Sequence, residues 1–95
     1  MTPPALGCRV AFLPDVVHRD LEGEAVLLNL KTGVYFGLNA TGTRIWHLLR
    51  ERERLAGVRD AIVDEYEVDV TTCTADLLRF VGGLAAQGLI RLTDA

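Results

Sequence analysis

The chain has 95 residues, enough for one small domain but too few for a core and a deep catalytic cavity together. Its formal net charge of −3 gives no attraction to nucleic acid or an anionic membrane, and it has neither a signal-peptide pattern nor an apolar run of membrane-spanning length. The cysteines Cys8 and Cys73 form no CxxC motif, so we expect one cytoplasmic domain over residues 1–95, with residues 1–8 as a flexible tail.

The first 40 residues follow the pattern of an antiparallel sheet. Residues 16–21 and 24–30 predict two strands around the turn Glu22-Gly23, and residues 34–38 predict a third after a short connection ending in Gly33. From the period of two, we expect the inner face of the sheet to carry Val26, Leu28, Leu30, Val34, Phe36 and Leu38. Leu27 and Tyr35 would then lie on the opposite face.

Apolar residues recur at helical spacing in the rest of the chain. Asn39 or Thr41 can cap a first helix that ends near Leu49, and a second helix covers residues 58–66. Thr71 or Thr72 can cap a third helix that ends near Gln87, followed by Gly88 in a left-handed conformation and an extended segment over 89–92. This order predicts an α+β, winged helix-turn-helix-like fold, with a three-stranded sheet, three helices and a short C-terminal wing.

Catalytic and metal sites find little support in the sequence. Cys73 as a nucleophile with His18 or His47 as its base is the Cys/His combination that the sequence offers. None of these residues lies in a nucleophile motif. Two cysteines and two histidines spread along the chain do not give zinc-ligand spacing, and the acidic residues at 60–69 lack the pattern of a calcium loop. We expect no catalytic residue, no metal and no cofactor.

A winged-helix fold first suggests a DNA-binding function. The helix that would enter the groove carries Asp76 and Arg79 and has no net charge, whereas a helix that contacts phosphates normally carries several Lys or Arg. A small transcriptional regulator therefore remains the weaker hypothesis, and we expect no nucleic acid partner.

The strand over residues 34–38 suggests peptide binding instead. It has no charge and no proline, the residues that usually protect an exposed strand edge. Such an edge can accept an incoming peptide strand, with pockets beside it that bind alternate side chains. Periodicity alone leaves a second possibility open, in which this strand is central and paired on both sides.

A family resemblance favours the first possibility. The stretch over residues 25–49, with Thr32-Gly33-Val34-Tyr35-Phe36-Gly37-Leu38-Asn39 followed by Ile45-Trp46, resembles the PqqD-like proteins, which recognise the leaders of ribosomally synthesised, modified peptides. The resemblance covers about residues 15–92. The sequence over residues 32–39 is more similar to the stand-alone proteins of lasso-peptide clusters than to PqqD of quinone-cofactor synthesis.

The resemblance implies a non-catalytic protein that binds a precursor leader peptide and presents it to a separate, cysteine-protease-like leader peptidase. The leader would add a strand beside the third strand of the sheet and be held from the other side by the last helix. The peptide-binding residues carried over are Val34, Tyr35, Phe36, Gly37, Leu38, Asp76, Phe80 and Gly83. A peptide carrier for a radical-enzyme pathway is the alternative within the family.

Overall fold

Two antiparallel sheets and three helices form the part of the chain that the computed structural model describes, residues 4–52 and 54–93. The strands are β1 (Arg9–Phe12), β2 (Val16–Leu21), β3 (Glu24–Asn29), β4 (Tyr35–Gly37) and β5 (Ile90–Thr93). The helices are α1 (Ala40–Glu51), α2 (Leu55–Tyr66) and α3 (Val70–Ala86). The predicted α+β order of a sheet, three helices and a C-terminal strand is confirmed.

The predicted three-stranded sheet has the order β2-β3-β4. Glu22 and Gly23 make the first turn with positive φ values of 53° and 83°, and Gly33 adopts a φ of 78° in the second connection, as the sequence predicted. These left-handed conformations favour glycine, which has no Cβ to clash with the backbone. The turns bring β2, β3 and β4 side by side without any crossover.

The inner face of β3 differs from the prediction by one residue. Leu27 is fully buried and Leu30 is exposed, and the neighbours of Leu27 on that face, Ala25 and Asn29, are also buried. Val26 and Leu28 face outward, whereas Phe36 and Leu38 lie on the inner side as expected. Both faces of β3 are apolar, so the period of two could not indicate which face is buried. The hydrogen bond from the Ala25 N–H to Thr43 Oγ1 (2.7 Å) directs this face toward α1.

The second sheet pairs β1 with β5 in antiparallel register, from Arg9 beside Thr93 to Phe12 beside Ile90. The predicted wing is therefore part of a two-stranded sheet, and the sequence analysis did not identify β1. Residues 4–8 precede it, and the carbonyls of Leu6 and Cys8 accept hydrogen bonds from the start of α2. The flexible tail expected for residues 1–8 stays a prediction. Residues 1–3 lie outside the described residues.

Capping explains where two of the helices begin. The side chain of Asn39 accepts a hydrogen bond from the Gly42 N–H (2.8 Å), which confirms it as the cap of α1. The cap of α3 is Asp69, whose carboxylate accepts from the Thr72 N–H (2.9 Å), so the prediction of Thr71 or Thr72 was wrong. The carboxylate of Asp69 lies just before α3 and competes successfully with the hydroxyl groups that follow it.

The core lies between the inner face of the sheet and the three helices. It contains Leu27 of β3, Leu48 and Leu49 of α1, Leu55 and Val58 of α2, and Leu77, Val81 and Leu84 of α3. Each helix contributes residues spaced three or four apart, which places them on one stripe. This packing holds α3 across the sheet and leaves one flank of the helix next to β4.

Candidate functional site

The free edge of β4 is the first feature of the site. The Leu38 N–H donates to the Ala25 carbonyl (2.7 Å), and the Val34 carbonyl accepts from the Asn29 N–H (2.8 Å), so these residues direct their backbone groups toward β3. Alternation along an antiparallel strand directs the N–H and C=O groups of Tyr35 and Gly37 to the other side. Within the described residues, β4 is an edge strand and nothing pairs with that side.

A cavity of about 290 Å³ lies beside this edge. We call it the strand-edge pocket; its walls come from β4, the start of α1 and α3, and it is lined by Phe36, Gly37, Leu38, Asn39, Thr41, Gly42, Ile45, Asp76 and Phe80. Its surface is largely apolar, with backbone and hydroxyl groups at one side and the Asp76 carboxylate at the rim. The pocket can therefore receive an apolar side chain from a peptide that lies along β4.

The structure brings together five of the residues carried over from the family resemblance: Phe36, Gly37, Leu38, Asp76 and Phe80. It does not place Val34, Tyr35 or Gly83 among the lining residues. Tyr35 is 74% exposed on the outer face of the sheet, opposite Leu28. Gly83 lies on the exposed side of α3, where an added Cβ would meet no atom within 4 Å.

Sequence reasoning missed four lining residues: Asn39, Thr41, Gly42 and Ile45. Asn39 and Thr41 were assigned to helix capping, and Ile45 was named as part of the family resemblance. The available signal was proximity in the chain, since the start of α1 follows β4 directly. Gly42 allows a close approach, because a Cβ there would make tight contacts, 3.4 Å from the Phe80 ring and 3.3 Å from the Asn39 side chain.

The charge on α3 is balanced locally. Arg79 Nη1 lies 3.3 Å from Asp76 Oδ1, and both side chains are exposed. The only basic residue of α3, all of which the structure describes, is therefore already paired within its own helix. This helix has no further cation to offer a phosphate backbone.

The alternative catalytic residues are not assembled. Cys73 is buried in the first turns of α3, where its thiol faces the Arg59 carbonyl of α2, and burial raises the pKa of Cys73. His18 and His47 instead contact each other across β2 and α1, with His18 beside Arg50 and His47 beside Asp20. Both histidines are half-buried between these elements.

The described residues offer neither a metal site nor a membrane-spanning helix. They hold no group of three or more His, Cys, Asp or Glu side chains placed to bind a metal ion. Across the same residues, every helix is too short or too polar to span a membrane.

Comparison with known proteins assigns the chain to a family. Residues 24–90, well over half of the chain, match coenzyme PQQ synthesis protein D (PqqD). The chain belongs to the PqqD family. In this PqqD-family chain, the matched stretch begins at the first residue of β3 and ends at the first residue of β5, so it contains the whole strand-edge pocket. No curated protein gives a significant match.

Two solved structures resemble the chain closely. One is described as TbiB1 in complex with the TbiA(beta) leader peptide; it is 44% identical, has a TM-score of 0.80, and the match covers 85% of this chain and 94% of that one. The other is described as lasso peptide synthetase B1 complexed with the leader peptide; it is 27% identical, has a TM-score of 0.77, and the match covers 90% of this chain and 98% of that one.

Proposed function

We propose that the chain binds the leader segment of a ribosomally synthesised precursor peptide and presents it to a separate leader peptidase of lasso-peptide biosynthesis. The leader adds a strand to the free edge of β4, and α3 flanks it from the other side. The observation that carries this proposal is an unpaired strand edge beside an apolar pocket, in a PqqD-family chain 44% identical to a protein described in complex with a leader peptide.

The backbone of β4 supplies the hydrogen bonds for this binding. Tyr35 and Gly37 direct N–H and C=O groups to the free edge, where an extended peptide can pair with them regardless of its sequence. Sequence preference comes from the strand-edge pocket, which receives alternate side chains of the added strand. Ordering a flexible leader costs about 2–5 kcal/mol, so side-chain contacts must add to the backbone bonds for tight binding.

The chain itself contributes binding and not catalysis. The raised pKa of Cys73 disfavours its thiolate, and neither histidine is positioned to act on it. The chain acts by proximity, because a bound leader raises the effective concentration of the precursor at the enzyme that receives it. Since the precursor is made on ribosomes, we place this role in the cytoplasm, without metal or cofactor.

The descriptions of both solved structures favour this role over the two alternatives. They refer to leader peptides and one refers to lasso peptide synthesis, which favours that pathway over a radical-enzyme carrier. The pairing of Arg79 with Asp76 disfavours a regulator that reads DNA. We propose that the leader contacts the five residues that line the strand-edge pocket: Phe36, Gly37, Leu38, Asp76 and Phe80. We also propose that it contacts Val34, Tyr35 and Gly83, which lie outside the pocket.

The decisive experiment removes one backbone donor from the free edge. Gly37→Pro deletes the outward N–H, and proline is tolerated in edge strands whose N–H faces solvent. With a fluorescent TbiA(beta) leader peptide as the probe, we expect anisotropy titrations to show at least about a tenfold loss of affinity, a loss of about 1.4 kcal/mol.

Gly37→Ala is the matched control, because it keeps the N–H and its Cβ meets no atom within 4 Å. We expect it to bind like the wild type. Equal binding by the folded proline and alanine variants would refute strand addition at this edge. Leader cleavage by the purified chain alone, lost in Cys73→Ala, would refute the non-catalytic role.

A further inference from the structure

A second cavity, of about 280 Å³, lies between α1, α2 and the start of α3. We call it the helix pocket; its apolar lining comes from Ile45, Ile62, Tyr66, Val68, Cys73 and Leu77. Its volume is slightly below the range of small-molecule sites, roughly 300–1,000 Å³, but it can accommodate one large side chain. The proposed strand addition does not use it, because it lies beyond the end of β4.

The helix pocket adjoins the strand-edge pocket. The two cavities share Thr41 and Ile45 of α1 and Asp76 of α3 in their walls. A peptide in the strand-edge pocket therefore lies next to the helix pocket, with only these three shared residues between the two cavities. This shared wall identifies the occupant, since the same peptide is the nearest chain that can enter.

The flank of α3 gives the length of this path. Thr72, Asp76, Phe80 and Gly83 are spaced three or four residues apart and so lie on one side of the helix. The twelve residues from Thr72 to Gly83 cover about 18 Å at roughly 1.5 Å per residue, whereas the three residues of β4 cover about 10 Å. The flank is longer than the strand, and its excess length runs along the helix pocket.

A solvent-exposed ion pair joins α1 to α2 beside the helix pocket. Arg44 of α1 lies 3.0 Å from Glu65 of α2, and these residues are the chain neighbours of Ile45 and Tyr66 in the pocket. This contact lowers the pKa of Glu65 and raises that of Arg44. The cavity is therefore a gap between tethered helices, with Tyr66 and Val68 exposed at its mouth.

We propose that the helix pocket is a second side-chain site for the same leader peptide. It takes one large aliphatic or aromatic side chain from a leader residue outside the strand-paired stretch, adjacent to the end that lies over Leu38. This inference rests on the proposed leader-binding function and extends it. Two apolar pockets on either side of Asp76 then bind side chains of the leader. Only the side chain in the strand-edge pocket belongs to the strand-paired stretch.

The test places a charge at the mouth of the helix pocket. Val68 is 41% exposed, and the Val68→Glu variant should lose about tenfold in affinity for the fluorescent TbiA(beta) leader, as expected for loss of a buried apolar contact. Val17→Glu is the matched control, because Val17 is 45% exposed on the outer face of the sheet. It should bind within about twofold of the wild type, and both variants are first melted by circular dichroism to verify folding.

A leader series identifies the side chain that enters. Each large apolar residue of the TbiA(beta) leader is replaced by Ala and titrated against the wild type and Val68→Glu. One leader replacement should weaken binding to the wild type but cause no further loss of affinity for Val68→Glu. The leader replacement and the Val68 substitution would then remove the same contact. In the wild type, the Ile62 methyl resonance should also shift on addition of the unmodified leader.

The possible failures are distinguishable. If Gly37→Pro abolishes binding while Val68→Glu binds normally and the Ile62 methyl does not move, the helix pocket is not a leader site and strand addition survives. If the wild type fails to bind the leader, both proposals are overturned. A dimer that dissociates in Val68→Glu would show that a second copy covers the pocket and would overturn this inference.

Discussion

The side-chain amide of Asn29 donates a hydrogen bond to the Gly88 carbonyl over 2.9 Å and so joins the β3–β4 connection to the end of α3. The side-chain oxygen of Asn29 accepts from the N–H groups of Lys31 (2.9 Å) and Thr32 (3.2 Å). One buried side chain therefore shapes the turn before β4 and ties it to the helix on the other side of the proposed leader path.

Asn29→Ala should lower the free energy of unfolding by about 1–3 kcal/mol, because it removes the side-chain partner of three partly buried backbone groups. Urea unfolding measures this loss. Asn29→Asp separates the two roles, since its carboxylate still accepts from Lys31 and Thr32 but cannot donate to Gly88. We expect Asp to keep the turn and to weaken leader binding. Wild-type stability in Asn29→Ala would show that the link is unimportant.

Gly83→Leu tests whether the leader continues along α3 toward the start of β4. Gly83 has open space around it, and glycine within a helix costs about 1 kcal/mol relative to better helix formers, so the variant should stay folded. We expect the new side chain to obstruct the incoming strand and to weaken leader binding by about tenfold in anisotropy titrations.

The control for Gly83→Leu must avoid Gly82, where an added Cβ would lie 3.1 Å from Pro4 Cγ. The neighbouring glycine is therefore not a neutral position. Ala75→Leu is the better control, because Ala75 is exposed and lies about 80° away around the helix. Equal affinities for the Gly83 and Ala75 variants would remove Gly83 from the site.

Cys73 should react slowly with thiol reagents at neutral pH. Burial raises its pKa, so the reactive thiolate is scarce, and the group titrates at a higher pH than an ordinary thiol. In the Cys8→Ser variant, alkylation followed by mass spectrometry should therefore show a rate below that of a free cysteine peptide. Because the unfolded chain ionises first, this residue should also lower stability as the pH rises above the ordinary cysteine value. A fast, pH-independent reaction at neutral pH would indicate an activated thiol.

Binding to duplex DNA should be weak and independent of sequence. The one arginine of α3 is paired with Asp76, and the chain has a net charge of −3. A gel shift near physiological salt should show no specific complex at nanomolar protein concentration. Asp76→Ala removes the partner of Arg79 and serves as the comparison. A rise in weak DNA binding by this variant would show that the ion pair suppresses the contact of Arg79 with phosphates. Specific, tight binding by the wild type would support a regulator instead.

The sequence by itself determined the order of elements, the turns and the strand that forms the proposed site. Gly23, Gly33 and Gly88 adopt positive φ values where the sequence predicted turns and a helix end, because their preference is local. The charge balance of Asp76 and Arg79 could likewise be read from their spacing in one helix. Phe36, Gly37, Leu38, Asp76 and Phe80 were identified through a family resemblance, and the fold brings them to one pocket.

Only the tertiary structure decided which face of β3 is buried, which strand pairs with β1 and where the cavities lie. Leu27 and Leu28 are equally apolar, and packing against α1 selects Leu27. The pairing of β1 with β5 joins segments more than 70 residues apart, so no local pattern indicates it. The two pockets likewise arise where α1 and α3 meet β4 or α2, because a cavity is a property of the space between elements and not of any one of them.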